Sequence, residues 1–306
     1  MRALASLVMR GRFEAVMLAT VLAMLSLLLP PSSILSSAAV ALVTLRNGPG
    51  YGFTVVIISG LTCAGLAYVT WGAATPVIGF SLLMWLSIWF AATLLRYSRS
   101  LAITMQGVLF LGLLVIVAQY LQGQDPVAQW RSLLEPFTQS LVEAQMVEES
   151  RRQELAEVMA RWVPGAVAAG FILQVMASLF MARWWQAMLY NPGGFKAEFH
   201  QLRMPRILAI ITLLVLLFQT GVADLGAFAD YVAMLLLAAW FLQGLSLAHG
   251  VLGKLGANSG WLVGIYFLLV FAMPHAVTAL AAAGFADAWF DFRVRLQDKN
   301  GPGETS

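Results

Sequence analysis

The chain has 306 residues, 60% hydrophobic and 11% charged, with a mean hydropathy of +0.80. Soluble domains carry about 25% charged residues, so this composition belongs in lipid. The formal charge of +3 and pI of about 9.2 come from basic residues set singly between apolar runs, which excludes the basic stripe that a nucleic-acid partner would need. One cysteine, Cys63, excludes an intrachain disulfide and every multi-cysteine metal or redox motif.

A membrane helix needs about 20 apolar residues, and about 17 suffice. After Arg2, Arg10 and Arg12, residues 14–29 form a first, short apolar run. It resembles a secretory signal, but the chain stays apolar through 39–45, so a retained helix is expected. Pro30-Pro31 stops it, because proline lacks the amide donor and restricts the residue before it. The run 33–45 returns to a glycine turn, Arg46 to Gly52. Runs 53–70, 76–95 and 101–121 follow, with Trp71, Trp85 and Trp89 placed for aromatic belts.

Residues 122–161 are an acidic island, made for water, with seven carboxylates against four arginines. Trp130, Leu134, Phe137 and Leu141 recur at helical spacing, as do Leu155, Val158, Met159 and Trp162, which predicts amphipathic helices at the membrane surface or over the bundle. Glu148 with Arg152 and Glu157 with Arg161 are i,i+4 pairs worth roughly 0.3–0.5 kcal/mol each. The second half supplies runs 163–184, 207–221, 231–248, 260–273 and 276–290, the last two parted by Pro274-His275.

The pattern predicts an all-α, polytopic transmembrane helix bundle of about ten membrane segments, some short, with amphipathic extramembrane helices between the halves. Its parts are N-terminal membrane helices (1–121), an acidic periplasmic segment (122–161), C-terminal membrane helices (162–290) and a cytoplasmic tail (291–306). If Pro274-His275 turns the chain back, fourteen of the 18 Lys and Arg lie on the side of the N-terminus and only the four of the island lie opposite. The positive-inside rule then puts both termini in the cytoplasm.

Catalytic signatures are missing: there is no His-Glu-x-x-His, no phosphate loop ending in Lys-Ser/Thr and no Gly-x-Ser-x-Gly. An enzyme is therefore not expected, nor is a cofactor or a metal. Ionisable groups near apolar runs are functional candidates by default: Asp224, Asp230, His275 and Asp287, all at predicted helix ends where water or headgroups can solvate them. Gln106, Gln119, Gln174, Gln219 and Gln243 lie deeper and either line a polar cavity or join helices at about 0.6 kcal/mol apiece. Two small-residue rows, Ala15, Ala19, Ala23 and Gly256, Gly260, Gly264, allow close helix approach, within the chain or as docking faces for another subunit. Asp287, Asp291 and Arg293 leave the last apolar run among Trp289, Phe290 and Phe292 as a charged and aromatic collar. Arg46 in its glycine turn is an inside anchor or, alternatively, pairs with Asp287 or Asp291 or meets a headgroup phosphate.

The chain resembles the YybS-like family of predicted bacterial membrane proteins. The likeness rests on Pro30-Pro31, Leu45-Arg46-Asn47-Gly48 with Gly52, the stretch 199–205 with Arg203, and the closing motif from Gly284 to Arg293. That family is distantly similar to the substrate-binding membrane subunits of energy-coupling-factor vitamin transporters and to MreD-type proteins of cell-wall elongation. The resemblance implies a substrate-binding or transport-related subunit of the bacterial inner membrane, with Ala15, Ala19 and Ala23 against a coupling subunit. The competing expectation is a non-catalytic scaffold in envelope biogenesis that uses the acidic island for recognition, and a third, weaker one is a lipid-handling flippase or enzyme. Membrane lipids, other membrane subunits and a small apolar or amphiphilic ligand are the expected partners.

Overall fold

Proline and glycine set most of the helix boundaries in the computed structural model, which describes residues 1–72, 75–121, 125–222, 226–258 and 260–295. Every regular element among these residues is a helix. In chain order they are α1 (Arg2–Val8), α2 (Arg12–Leu25), α3 (Ser32–Asn47), α4 (Pro49–Trp71), α5 (Thr75–Ser98), α6 (Leu101–Tyr120) and α7 (Pro126–Glu143). Then come α8 (Glu149–Tyr190), α9 (Gly194–His200), α10 (Arg206–Leu217) with a π-helical turn at Phe218–Val222, α11 (Ala227–Lys254), α12 (Gly260–Phe271), α13 (Met273–Phe290) and α14 (Phe292–Arg295).

All ten apolar runs fall on helices. Four described helices are long and apolar enough to cross a membrane: Pro49–Thr70, Leu101–Tyr120, Glu149–Tyr190 and Ala227–Lys254. Arg206–Thr220 and Gly260–Phe271 are shorter apolar helices.

The chain divides into two compact units, Met1–Val108 with Leu173–Leu202 and Leu109–Ile172 with Arg203–Ser306. In the first, α3 is the central helix and packs on α2, α4 and α5. Residues Ala38 to Val43 of α3 are completely buried, and their small or branched side chains let neighbouring backbones approach where lipid supplies no hydrophobic force. The Ser36 hydroxyl donates to the Ala19 carbonyl (2.7 Å) and accepts from Trp85 Nε1 (3.1 Å), tying α2, α3 and α5 together. Trp85 is therefore a core side chain and not part of an aromatic belt, because its one polar group found a buried partner. Gly48, at φ 103, allows the abrupt passage from α3 to α4.

The second unit corrects the reading of the acidic island. Asp125 caps α7, accepting from Val127 N (3.3 Å), and Pro126 opens it. The second amphipathic helix is not separate: α8 is one helix of 42 residues that carries the acidic segment straight into the apolar run. Its inner face is small, with Ala156 and Ala160 buried, while Val158 and Trp162 are exposed. Neither expected i,i+4 pair forms, because nearer partners stand one residue off on α8 or on other helices. Glu157 pairs with Arg131 of α7, and Arg152 takes Glu149 (2.9 Å) and Glu135 (3.8 Å). Arg161 reaches Asp230 at the start of α11 (2.9 Å).

Within the same unit, α10 runs antiparallel to α11: the Met204 amide meets Gln243, Thr212 meets Trp240, and Gln219 meets Asp230. By contrast α13 runs parallel to α11. The stretches that precede Gln243 and Asp287, from Ala233 to Trp240 and from Thr278 to Phe285, line one cavity, and Gln243 and Asp287 meet beyond it. Parallel helices require α12 to carry the chain back between them, as the Pro274-His275 turn implies.

Candidate functional site

The site with most chemistry is assembled where α10 begins and α13 ends. Its precondition is the absence of two Cβ atoms. A Cβ on Gly284 would stand 2.3 Å from the Trp240 carbonyl oxygen and 2.6 Å from the Gly244 nitrogen, and one on Gly244 would stand 1.8 Å from the Leu280 carbonyl oxygen. Backbones at this range bring Gln243, itself fully buried, against three chain segments. Its Nε2 donates to the Gly284 carbonyl (2.8 Å) and the Asp287 carboxylate (3.3 Å), while its Oε1 accepts from Met204 N (2.7 Å). One side-chain amide thus clamps α11, α13 and the entry to α10.

Asp287 is 0% exposed, so its charge needs compensation. Asp291 turns the chain with φ 46, and the reversal returns two donors to Asp287: Phe292 N (3.1 Å) and Arg293 Nη2 (3.3 Å). Burial lowers the Arg293 guanidinium from its ordinary range, and Asp287 and then Asp291 push it back up. Arg203 grips the Asp291 carboxylate and, with Arg206, donates to the Ala288 carbonyl (3.3 and 3.4 Å). Cations at the end of α13 also offset its dipole. Each acid here is engaged by this chain's own donors, an arrangement that locks helix ends together.

The collar expectation is therefore corrected. Trp289, Phe290 and Phe292 are exposed, but Asp287 and Arg293 are buried, because the turn at Asp291 folds α14 back under α13. Within the second unit Asp287 takes Arg293 and Asp291 takes Arg203. Arg46 stands at the end of α3 with its guanidinium 4.2 Å over the Tyr190 ring.

One turn along from the clamp, α10, α11 and α13 line an open cavity of about 290 Å³. Leu213, Leu216, Ala233, Leu237 and Ala282 supply apolar walls. Trp240 Nε1 donates to the Thr212 hydroxyl (2.8 Å), which removes the main polar group from the lining. Chemically the cavity suits an apolar group.

The remaining candidates are placed as follows. Asp230 is buried, with Arg161 Nε and Gln219 Nε2 each 2.9 Å from its oxygens. Gln106 bonds the Ala102 carbonyl of its own helix (3.1 Å), Gln119 accepts from Trp130 Nε1 (2.8 Å), and Gln174 donates to Ser33 (2.9 Å). Gln119, Gln174, Gln219 and Gln243 thus each join neighbouring helical segments, while Gln106 bonds only within its own helix. His275 is exposed in the first turn of α13. Ala15 and Ala19 are completely buried and Ala23 half-buried, so the first small-residue row packs inside its own unit. Gly256 turns the chain after α11 at φ 60, the Gly260 amide bonds Asn258 (3.0 Å), and Gly264 faces open space. Asp224, the Trp71 side chain and the tail beyond Arg295 lie outside the described residues.

The sequence reading did not single out the Gln243 clamp, the Arg161–Asp230 pair or the role of Arg203. Glycine beside or near each clamp residue, Gly244 after Gln243 and Gly284 before Asp287, was the available signal. No group of His, Cys, Asp and Glu able to hold a metal ion occurs among the described residues.

A bundle of apolar helices with buried, internally paired charges defines an integral membrane protein of the all-helical class. Residues 17–288 match the family described as "Predicted membrane protein (DUF2232)", and the chain belongs to it. Neither the curated proteins nor the solved structures offer a match.

Proposed function

We propose that the protein is a non-catalytic, ligand-binding membrane subunit, transport-related in role, that holds a small apolar or amphiphilic molecule between α10, α11 and α13. The observation that carries this reading is the open cavity of about 290 Å³ with apolar walls. The likeness to YybS-like proteins, and through them to substrate-binding transporter subunits, points the same way. We place the protein in a bacterial inner membrane, its ten apolar helices as membrane segments and both termini in the cytoplasm. In support, Arg46, Arg96, Arg99 and Arg183 line one cavity of the first unit, while Arg203, Arg206 and Arg293 gather at one end of the second.

The test is purification in lipid nanodiscs followed by mass spectrometry of released small molecules, for the wild type and for Ala233→Phe, which fills the cavity. A compound enriched over bulk lipid with the wild type and depleted with the variant is the expected result. Recovery of bulk lipid alone, or equal recovery from both proteins, would overturn the reading. The scaffold alternative draws on one feature, the exposed Leu133 and Phe137 of α7 among charged neighbours. It predicts that envelope-assembly proteins co-purify and are lost on deleting α7.

A further inference from the structure

The first unit carries a second cavity of different chemistry, at the end where α3 and α5 terminate. It measures about 540 Å³, and Arg46, Arg96, Arg99 and Arg183 all contribute to its lining, with Gln186 and Glu198. Among the described lining residues Glu198 is the one carboxylate, and Arg183 holds it through Nε (3.0 Å). Four guanidinium groups therefore share one cavity with a single compensating charge. Two of them are fixed by the fold. Arg96 donates to the Leu45 and Arg46 carbonyls at the end of α3, and Arg183 is bound to Glu198 and Gln186. Arg46 lies across the Tyr190 ring, and Arg99 follows α5 in the left-handed region at φ 52.

Gathering like charges is unfavourable unless an anion is shared among them. Guanidinium groups present forked donors that match the oxygens of phosphate, and their charge is insensitive to pH. Helix-end arginines in a polytopic protein also lie at the depth of lipid headgroups. We propose that this cavity binds the phosphate group of a phosphorylated ligand, either an anionic lipid headgroup or a soluble phosphate compound. The inference is independent of what the second unit holds, since it rests on different helices.

The full chain in phosphatidylcholine nanodiscs is titrated with inorganic pyrophosphate by calorimetry. In parallel, nanodiscs that contain phosphatidic acid are opened for native mass spectrometry to see which lipid stays bound. Saturable pyrophosphate binding assigns a soluble phosphate compound. Selective retention of phosphatidic acid without pyrophosphate binding assigns a lipid headgroup. In whichever arm binds, Arg46→Gln and Arg99→Asn each weaken affinity by about tenfold. Both side chains are exposed, and asparagine tolerates the left-handed backbone at Arg99. Glu198→Gln, which removes the competing carboxylate, strengthens binding. The proposal fails if neither pyrophosphate nor phosphatidic acid binds better than phosphatidylcholine does. It also fails if binding is the same in Arg46→Gln and Arg99→Asn as in the wild type.

Discussion

Replacing Gly284 by alanine adds one methyl group where two backbones already touch. The new Cβ would lie 2.3 Å from the Trp240 carbonyl oxygen and 2.6 Å from the Gly244 nitrogen, against 3.4 Å for ordinary contact, so α11 and α13 must part by about 1 Å. Neither obstacle is a side chain that can rotate away. Overpacking of this kind costs about 1–3 kcal/mol. The same movement stretches the 2.8 Å bond from Gln243 to the Gly284 carbonyl beyond hydrogen-bond range, for about 1 kcal/mol more. A total near 3 kcal/mol lowers Tm by about 5 °C in a chain of 306 residues. Intrinsic fluorescence during a thermal ramp in mild detergent measures this directly. Gly264→Ala is the control, because nothing lies within 4 Å of its Cβ; its Tm should hold or rise. If Gly284→Ala melts with the wild type, the close approach of α11 and α13 is refuted.

Asp287→Ala removes the buried acid paired with the Arg293 guanidinium and leaves it only the weaker pull of Asp291, so a loss of about 3 kcal/mol is expected. The double variant Asp287→Leu with Arg293→Leu should lose less than the single variants summed, and a thermal-stability cycle that shows additivity would sink the pairing. Thr212→Val removes the acceptor for Trp240 Nε1 and should lower stability by about 1 kcal/mol while shifting the tryptophan emission. Arg131→Ala breaks an ion pair whose partners are 51% and 54% exposed, so a Tm change worth more than about 1 kcal/mol would contradict its solvated geometry. Cys63 is buried, and a maleimide should label it only after denaturation; rapid labelling of the native protein would argue against the packing of α4.

Helix positions were legible in the sequence because apolar runs in lipid have only a helix with which to satisfy their backbone. Pro30-Pro31 therefore marked a real boundary, whereas of the expected Arg46 to Gly52 turn Gly48 alone stands between two helices. Partner choice was not legible. Glu157 sits four residues from Arg161, yet it pairs with Arg131, 26 positions away, because α7 lies alongside α8. Helical periodicity measures distance along one helix and is blind to which helix comes next. Asp287 shows the same limit: its place at a helix end promised solvent, but the turn at Asp291 covered it. Gln243 was recognised as a deep amide, while its three partners depend on a glycine contact that only the folded chain reveals.

The uninterrupted α8 has a consequence for how the protein meets bilayers of different thickness. At 1.5 Å per residue its 42 residues extend about 63 Å, roughly twice the hydrocarbon thickness. Beyond Trp162 the rod continues as acidic helix with no turn to mark the water boundary. A thinner membrane therefore need not tilt or unwind it, and simply leaves more of the acidic shaft standing in water. In that sense α8 is a dipstick, read at its charged end.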